Sequence, residues 1–199
     1  MRRIRLLIPL LALVLAACAS QADQRAPEPT AAAVSPGQGD SAGADHGGHS
    51  ADDQNVPYDA AFIDSMIVHH QAAIDMSNQA LKESQRDEIK TLAQAVIAAQ
   101  QAEVAQLYGW RKSWYPELAT SSGLGADMGD MAISNDTATP FDQRFIDAMI
   151  AHHEGAISMA KEAETKAERT ELKSLARKII SAQEAEVKQL QTWRSDWFK

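Results

Sequence analysis

The side chains best suited to chemistry are six histidines and, apart from Met1, six methionines, and they are not scattered. His69-His70 and His152-His153 form two doublets. Met66 stands three residues before His69, and Met149 three before His152; Met76 and Met159 each follow their doublet by six residues. On an α-helix, residues three or four apart share a face, so thioether and imidazoles would line one stripe. Imidazole plus thioether without thiolate is a donor set for copper(I) and its congener silver(I), while imidazole alone also takes copper(II) or zinc. The single cysteine, Cys18, excludes an internal disulfide. A methionine at helical spacing is commonly core filler, and a lone buried histidine usually a satisfied core residue. Duplication of the whole pattern tips the reading toward a metal.

Two further groups of candidates lie outside these helices. Met128 and Met131 sit in a loop, and Asp45-His46-Gly47-Gly48-His49 places His46 and His49 on a glycine-rich segment that could capture a metal loosely. Gln100, Glu103, Gln183 and Glu186 point inward by helical phase. A buried glutamate is rare unless paired; facing histidines would pair these, and the carboxylates would orient the imidazoles from behind.

The elements that must position these residues are themselves repeated. Phe62-Ile63-Asp64-Ser65-Met66-Ile67-Val68-His69-His70 returns as Phe145-Ile146-Asp147-Ala148-Met149-Ile150-Ala151-His152-His153, 83 residues later. The offset holds from Pro57 and Pro140 to Trp114 and Trp197, and about half of the aligned positions are identical. One structural unit is present twice: repeat 1 at 57–116, a connecting loop at 117–139 and repeat 2 at 140–199.

Each repeat reads as a helical hairpin. Phe62, Met66, His69, Ala73, Met76 and Ala80 recur at spacings of three and four, with Ile63, Ile67, His70 and Ile74 beside them; Asp64, Gln71 and Asp75 fall on the opposite side. A break near Glu83-Ser84 precedes a second helix to Trp114. Its inward row runs Leu92, Val96, Ala99/Gln100, Glu103, Leu107, Trp110 and Trp114. Thr139-Pro140 predicts a helix start with threonine as N-cap and proline at the first helical position. Thr165-Lys166-Ala167-Glu168 predicts a capping box opening the last helix. The tryptophans read as core and bundle-end packing. Short turns force antiparallel packing, and one hairpin cannot hide its broad apolar face alone. The fold class is therefore all-α, an antiparallel four-helix bundle of two repeated hairpins over 57–199. Pro116, Gly123, Gly125 and Gly129 mark the connection as a long loop.

Residues 1–17 read as a signal peptide: Arg2, Arg3 and Arg5, then an apolar run too short to span a bilayer as a helix of about 20 residues. It ends in Leu15-Ala16-Ala17-Cys18, which resembles a bacterial lipobox; lipid on Cys18 would anchor the chain to the cell envelope, outside the cytoplasm. Residues 18–56, rich in Ala, Gly, Pro, Ser and Asp, read as a disordered tether. The formal charge is −8, and losing three leader arginines takes it to −11. So acidic a chain is a poor partner for nucleic acid.

Phe-Ile-Asp-x-Met-Ile-x-His-His-x-x-Ala-Ile-x-Met, followed by Ile-x-x-x-Gln and Glu-Val-x-x-Leu-x-x-Trp, resembles the domain-of-unknown-function 305 family across residues 57–199, in both halves. The resemblance implies a ferritin-like helical bundle, usually exported, some members being periplasmic copper-binding proteins tied to copper resistance. It implies His69, His70, His152, His153 and the flanking methionines as ligands. The loop carries only Met128-Gly129-Asp130-Met131, sparser than the methionine run common in that family. The expectation is a lipid-anchored metal-binding protein that buffers or delivers copper without catalysis. The residues name no copper-transfer partner. Two alternatives stand beside it. One is an adaptor bundle of the envelope whose polar core fixes register. The other is a ferritin-like di-iron oxidase, for which the required Glu-x-x-His motif is missing from the sequence.

Overall fold

The computed structural model describes residues 56–121, 123–124 and 131–199. Cys18, His46, His49 and Met128, with the expected leader and nearly all of the tether, lie outside the described residues. Four helices are present: α1 Tyr58–Glu83, α2 Asp87–Trp114, α3 Phe141–Lys166 and α4 Thr170–Trp197. The bounds of α3 and α4 are those of α1 and α2 shifted by 83 residues, so the internal repeat of the sequence is a repeat of structure. Three-residue turns, Ser84–Arg86 and Ala167–Arg169, fold each pair back on itself. α1 packs on α2, α3 on α4, and the two hairpins meet through α1 and α3. No helix among the described residues is long and apolar enough to cross a membrane.

The helix starts differ from the sequence expectation in an instructive way. Pro57 and Pro140 are N-caps rather than first helical residues, with φ near −55° and −52° but extended ψ of 139° and 141°. No side chain caps α3; the Thr139 hydroxyl instead donates to Asp136 Oδ2 at 2.7 Å. Thr165 does not open α4 either. It lies in the last turn of α3, donating to the Glu162 carbonyl. The start of α4 is held from the other repeat: Asp59, 2% exposed, accepts from the backbone N–H of Glu168 at 2.9 Å and of Arg169 at 3.1 Å. These N–H groups belong to the turn and to the N-cap position Arg169, before the N2 and N3 donors that a capping side chain would bind, so Asp59 fixes where α4 begins rather than capping its first turn.

The core divides into two apolar clusters. One joins Phe62 and Met66 of α1 to Met159 and Ala163 of α3 and to Leu172 and Ile179 of α4. The other joins Met76 and Ala80 of α1 to Phe145 and Met149 of α3, with Ile89, Val96 and Leu190. Phe62 and Phe145 are fully buried, one in each cluster, and each burial contributes about 1.5–3 kcal/mol. The histidine doublets fall between the clusters on both central helices. At the bundle ends the tryptophans stack in pairs, Trp110 on Trp114 and Trp193 on Trp197, centroids 5.0 Å apart. Arg169 lies 4.2 Å over Trp114 and Arg86 4.1 Å over Trp197, so each turn closes on the other repeat.

Asp64 corrects an expectation. Periodicity places it on the outer side of α1, yet it is 6% exposed. The segment after α2 folds over that face. Arg111 Nε donates to Asp64 Oδ1 at 2.8 Å, and Ser121 donates to Oδ2 through its backbone N–H and hydroxyl at 2.8 and 3.0 Å. Leu124 N–H donates to Ser65 Oγ at 2.8 Å. Gly123 sits at φ +91°, and a Cβ there would meet Ser65 Oγ at 2.4 Å, so both backbone and space require glycine. The repeat mate Asp147 binds Arg194 at 2.7 Å with its side chain 49% exposed. Breaking a buried pair costs about 3–5 kcal/mol and an exposed one about 0–1. Asp64→Ala should therefore lower the free energy of urea unfolding by the larger amount and Asp147→Ala by the smaller; equal losses would refute the burial argument.

Candidate metal centre

All four helix histidines have no exposed surface. His69 of α1 and His152 of α3 are repeat mates, and their rings meet with centroids 3.7 Å apart at a 44° tilt. A residue that contacts its own mate marks the pseudo-twofold axis, so this pair sits at the centre of the joint between hairpins. His152 Nε2 lies 2.9 Å from the His69 carbonyl oxygen. A carbonyl only accepts, so that nitrogen carries the proton and His152 Nδ1 presents its lone pair. Nδ1 has no partner, and neither ring nitrogen of His69 has one.

The outer member of each doublet faces a glutamate. His70 Nε2 is 2.7 Å from Glu103 Oε2, and His153 Nε2 is 2.8 Å from Glu186 Oε2, the second contact less well aligned for a hydrogen bond. Proton donation from Nε2 to the carboxylate again leaves Nδ1 as the free nitrogen, and in both residues it is buried without a partner. The expected burial of Glu103 and Glu186 is corrected: their side chains are 23% and 24% exposed. They stand at the rim, reaching inward. Gln100 and Gln183 are the fully inward members, 3% exposed, each with an unpartnered Oε1.

Burial, reinforced by the neighbouring imidazoles, pushes His69 from 6.5 down to about 2. Burial pushes His152 down to about 4, with the hydrogen bond to His69 opposing. Both are therefore neutral at pH 7, the form that ligates metals.

The thioethers bracket this layer. Met66 and Met159 belong to one apolar cluster and Met76 and Met149 to the other, all at most 3% exposed. Each side of the histidine layer thus has one methionine from each repeat. Among the described residues no three His, Cys, Asp or Glu side chains converge as a preformed cage, so imidazole pairs would need sulfur to complete a coordination sphere. Met131 is half-buried in the loop and belongs to neither cluster. The His69 carbonyl, which fixes the His152 tautomer, has no motif of its own in the sequence; the constant 83-residue offset is the available signal, since mates beside a twofold axis meet.

Residues 59–194 match the DUF305 family, described as a domain of unknown function. The chain belongs to the DUF305 family. Among solved structures, this DUF305 chain is similar to CopM in a Cu(I)-bound form, at 36% identity and TM-score 0.62, covering 71% of this chain and 98% of that one. CopM in an Ag-bound form gives 35% identity and TM-score 0.62 with the same coverage. A DUF305 protein of Streptomyces coelicolor, designated as secreted, is 25% identical with TM-score 0.57, covering 67% of this chain and 90% of that one. No curated protein matches the chain.

Proposed function

We propose that this DUF305 chain binds copper(I), with silver(I) as congener, in the layer between its two apolar clusters, and buffers or delivers copper outside the cytoplasm. The observation that carries the reading is the group of unpartnered, neutral imidazole nitrogens on His69 and His152, flanked by buried thioethers. His70 and His153 are further ligands through Nδ1, with Glu103 and Glu186 holding their rings. Met66, Met76, Met149 and Met159 supply sulfur. Similarity to CopM, whose structures hold Cu(I), Cu(II) and Ag, supports the choice of ion. The proposed role is non-catalytic: the metal is cargo. Titration of the full chain with copper(I) against a competing chelator tests it. The natural chain should compete, and the His69→Leu, His152→Leu chain should lose at least about 100-fold in affinity; an unchanged affinity overturns the reading.

The lipobox-like Leu15-Ala16-Ala17-Cys18 supports an acyl anchor, with 18–56 as tether. In cells, Cys18→Ala should move the protein out of the membrane fraction. Retention there would refute anchoring through this cysteine.

A further inference from the structure

Four imidazoles without exposed surface can load only through an opening. We propose that the opening is the seam between α2 and α4, entered from its Glu186 side, and that Glu186 draws the cation inward to His153. The proposal rests on the metal-binding reading above.

The other sides of the layer are closed by packed pairs: α1 on α2, α3 on α4, and α1 on α3. Between α2 and α4 lies a cavity of about 20 Å³, lined among others by Ala99, Gln100 and Glu103 and by their mates Ala182, Gln183 and Glu186. That volume holds about one water, and so one partly dehydrated ion. Gln100 and Gln183 line it with amide oxygens that are buried and lack any donor. Such an oxygen solvates a cation that has shed water, and being too hard a donor to retain a soft ion it passes that ion on to imidazole and thioether. Glu186 spans the distance from solvent to interior: its side chain is 24% exposed, yet Oε2 touches His153 Nε2 at 2.8 Å.

The repeat breaks its symmetry at the two mouths of this seam. A groove of about 570 Å³ is lined by Asp87, Glu88, Ala95, Glu186 and Trp193, with no basic residue. Its counterpart is lined by Glu171, Trp110 and Lys178, and Lys178 is the mate of Ala95. It does not reach Glu103. One mouth therefore gathers three carboxylates that lead to the cavity, and the other carries a lysine. A cleft of one sign concentrates the opposite charge and raises its rate of entry by ten- to a thousandfold.

Stopped-flow uptake of silver(I) by the full chain, read by tryptophan fluorescence, tests the route. Ala95→Lys copies the lysine of the other mouth at an exposed position and should slow association about tenfold at low salt. Gln106→Lys adds the same charge to the opposite groove and should leave the rate unchanged. Ala182→Leu, also at an exposed position, narrows the cavity and should slow uptake and release alike, leaving the dissociation constant in place. Wild-type rates in both Ala95→Lys and Ala182→Leu, or equal slowing by Gln106→Lys, would overturn the route. A natural chain that takes up no silver(I) would overturn the metal reading instead.

Discussion

Replacing His69 and His152 together by leucine should yield a chain that is more stable than the natural one without metal and much less responsive to metal when it is added. The buried ring nitrogens of His69 have no partner, and His152 Nδ1 has none. An unsatisfied buried polar group costs about 1–3 kcal/mol. Leucine has a similar volume and leaves nothing unpaired, so the metal-free form should gain about 1–3 kcal/mol in urea unfolding. The natural chain should recover that deficit when loaded, because an ion held only by the folded state at a thousandfold excess over its dissociation constant adds about 4 kcal/mol. The variant, at least about 100-fold weaker, should rise by no more than about 1.4 kcal/mol at the same metal concentration. A metal-free variant clearly less stable than the natural chain would mean that the imidazoles are a cohesive polar network. The register-fixing bundle would then be the better account. Sites kept at a cost to stability are where function is expected.

Acid should unfold the natural chain through the same two residues. The sign follows from the depressed values. In the folded state His69 titrates near 2 and His152 near 4, against 6.5 for a free imidazole. Between pH 6.5 and those values the unfolded chain binds protons that the folded chain refuses, so stability falls as pH falls. The contribution is fully present above pH 6.5. Each histidine removes up to about 1.4 kcal/mol per pH unit, or about 3 kcal/mol by pH 4. Two such losses are comparable to the whole margin of a small domain. Carboxylates also lose stabilising contacts in acid, so the diagnostic quantity is the difference between chains. The double leucine variant should keep about 6 kcal/mol more of its pH 7 stability at pH 4. Parallel stability-versus-pH curves for the two proteins would refute the assignment.

The helices and the histidine layer were legible because both depend on periodicity. Spacings of three and four place Phe62, Met66 and His69 on one stripe whatever lies opposite. The 83-residue offset then demanded two hairpins of equal length, and the structure has them. What was not legible depends on groups distant in sequence. Asp64 has the helical phase of a surface residue, and only the loop through Ser121 encloses it. The carboxylate that holds the start of α4 is Asp59, 109 residues from the Glu168 N–H that donates to it. Local capping patterns at Thr139 and Thr165 were outcompeted by an Asp136 turn and by helix α3 running on past the threonine. Phase correctly turned Glu103 and Glu186 inward but could not tell rim from interior, because depth depends on how far apart α2 and α4 stand.

Because both halves fold to the same helix bounds, the molecule carries its own reference state. A difference between mates reads against what covers each half, and the segment after α2 lies over the first repeat alone, beside Val68 and Tyr108. Among the described residues, Val68 and Tyr108 are the large apolar side chains left in water, at 52% and 59% exposure, where the second copy has Ala151 and Gln191. Ala95 faces Lys178 in the same comparison. Such unmatched positions let one half serve as the control for the other, in the same molecule and at the same helical phase.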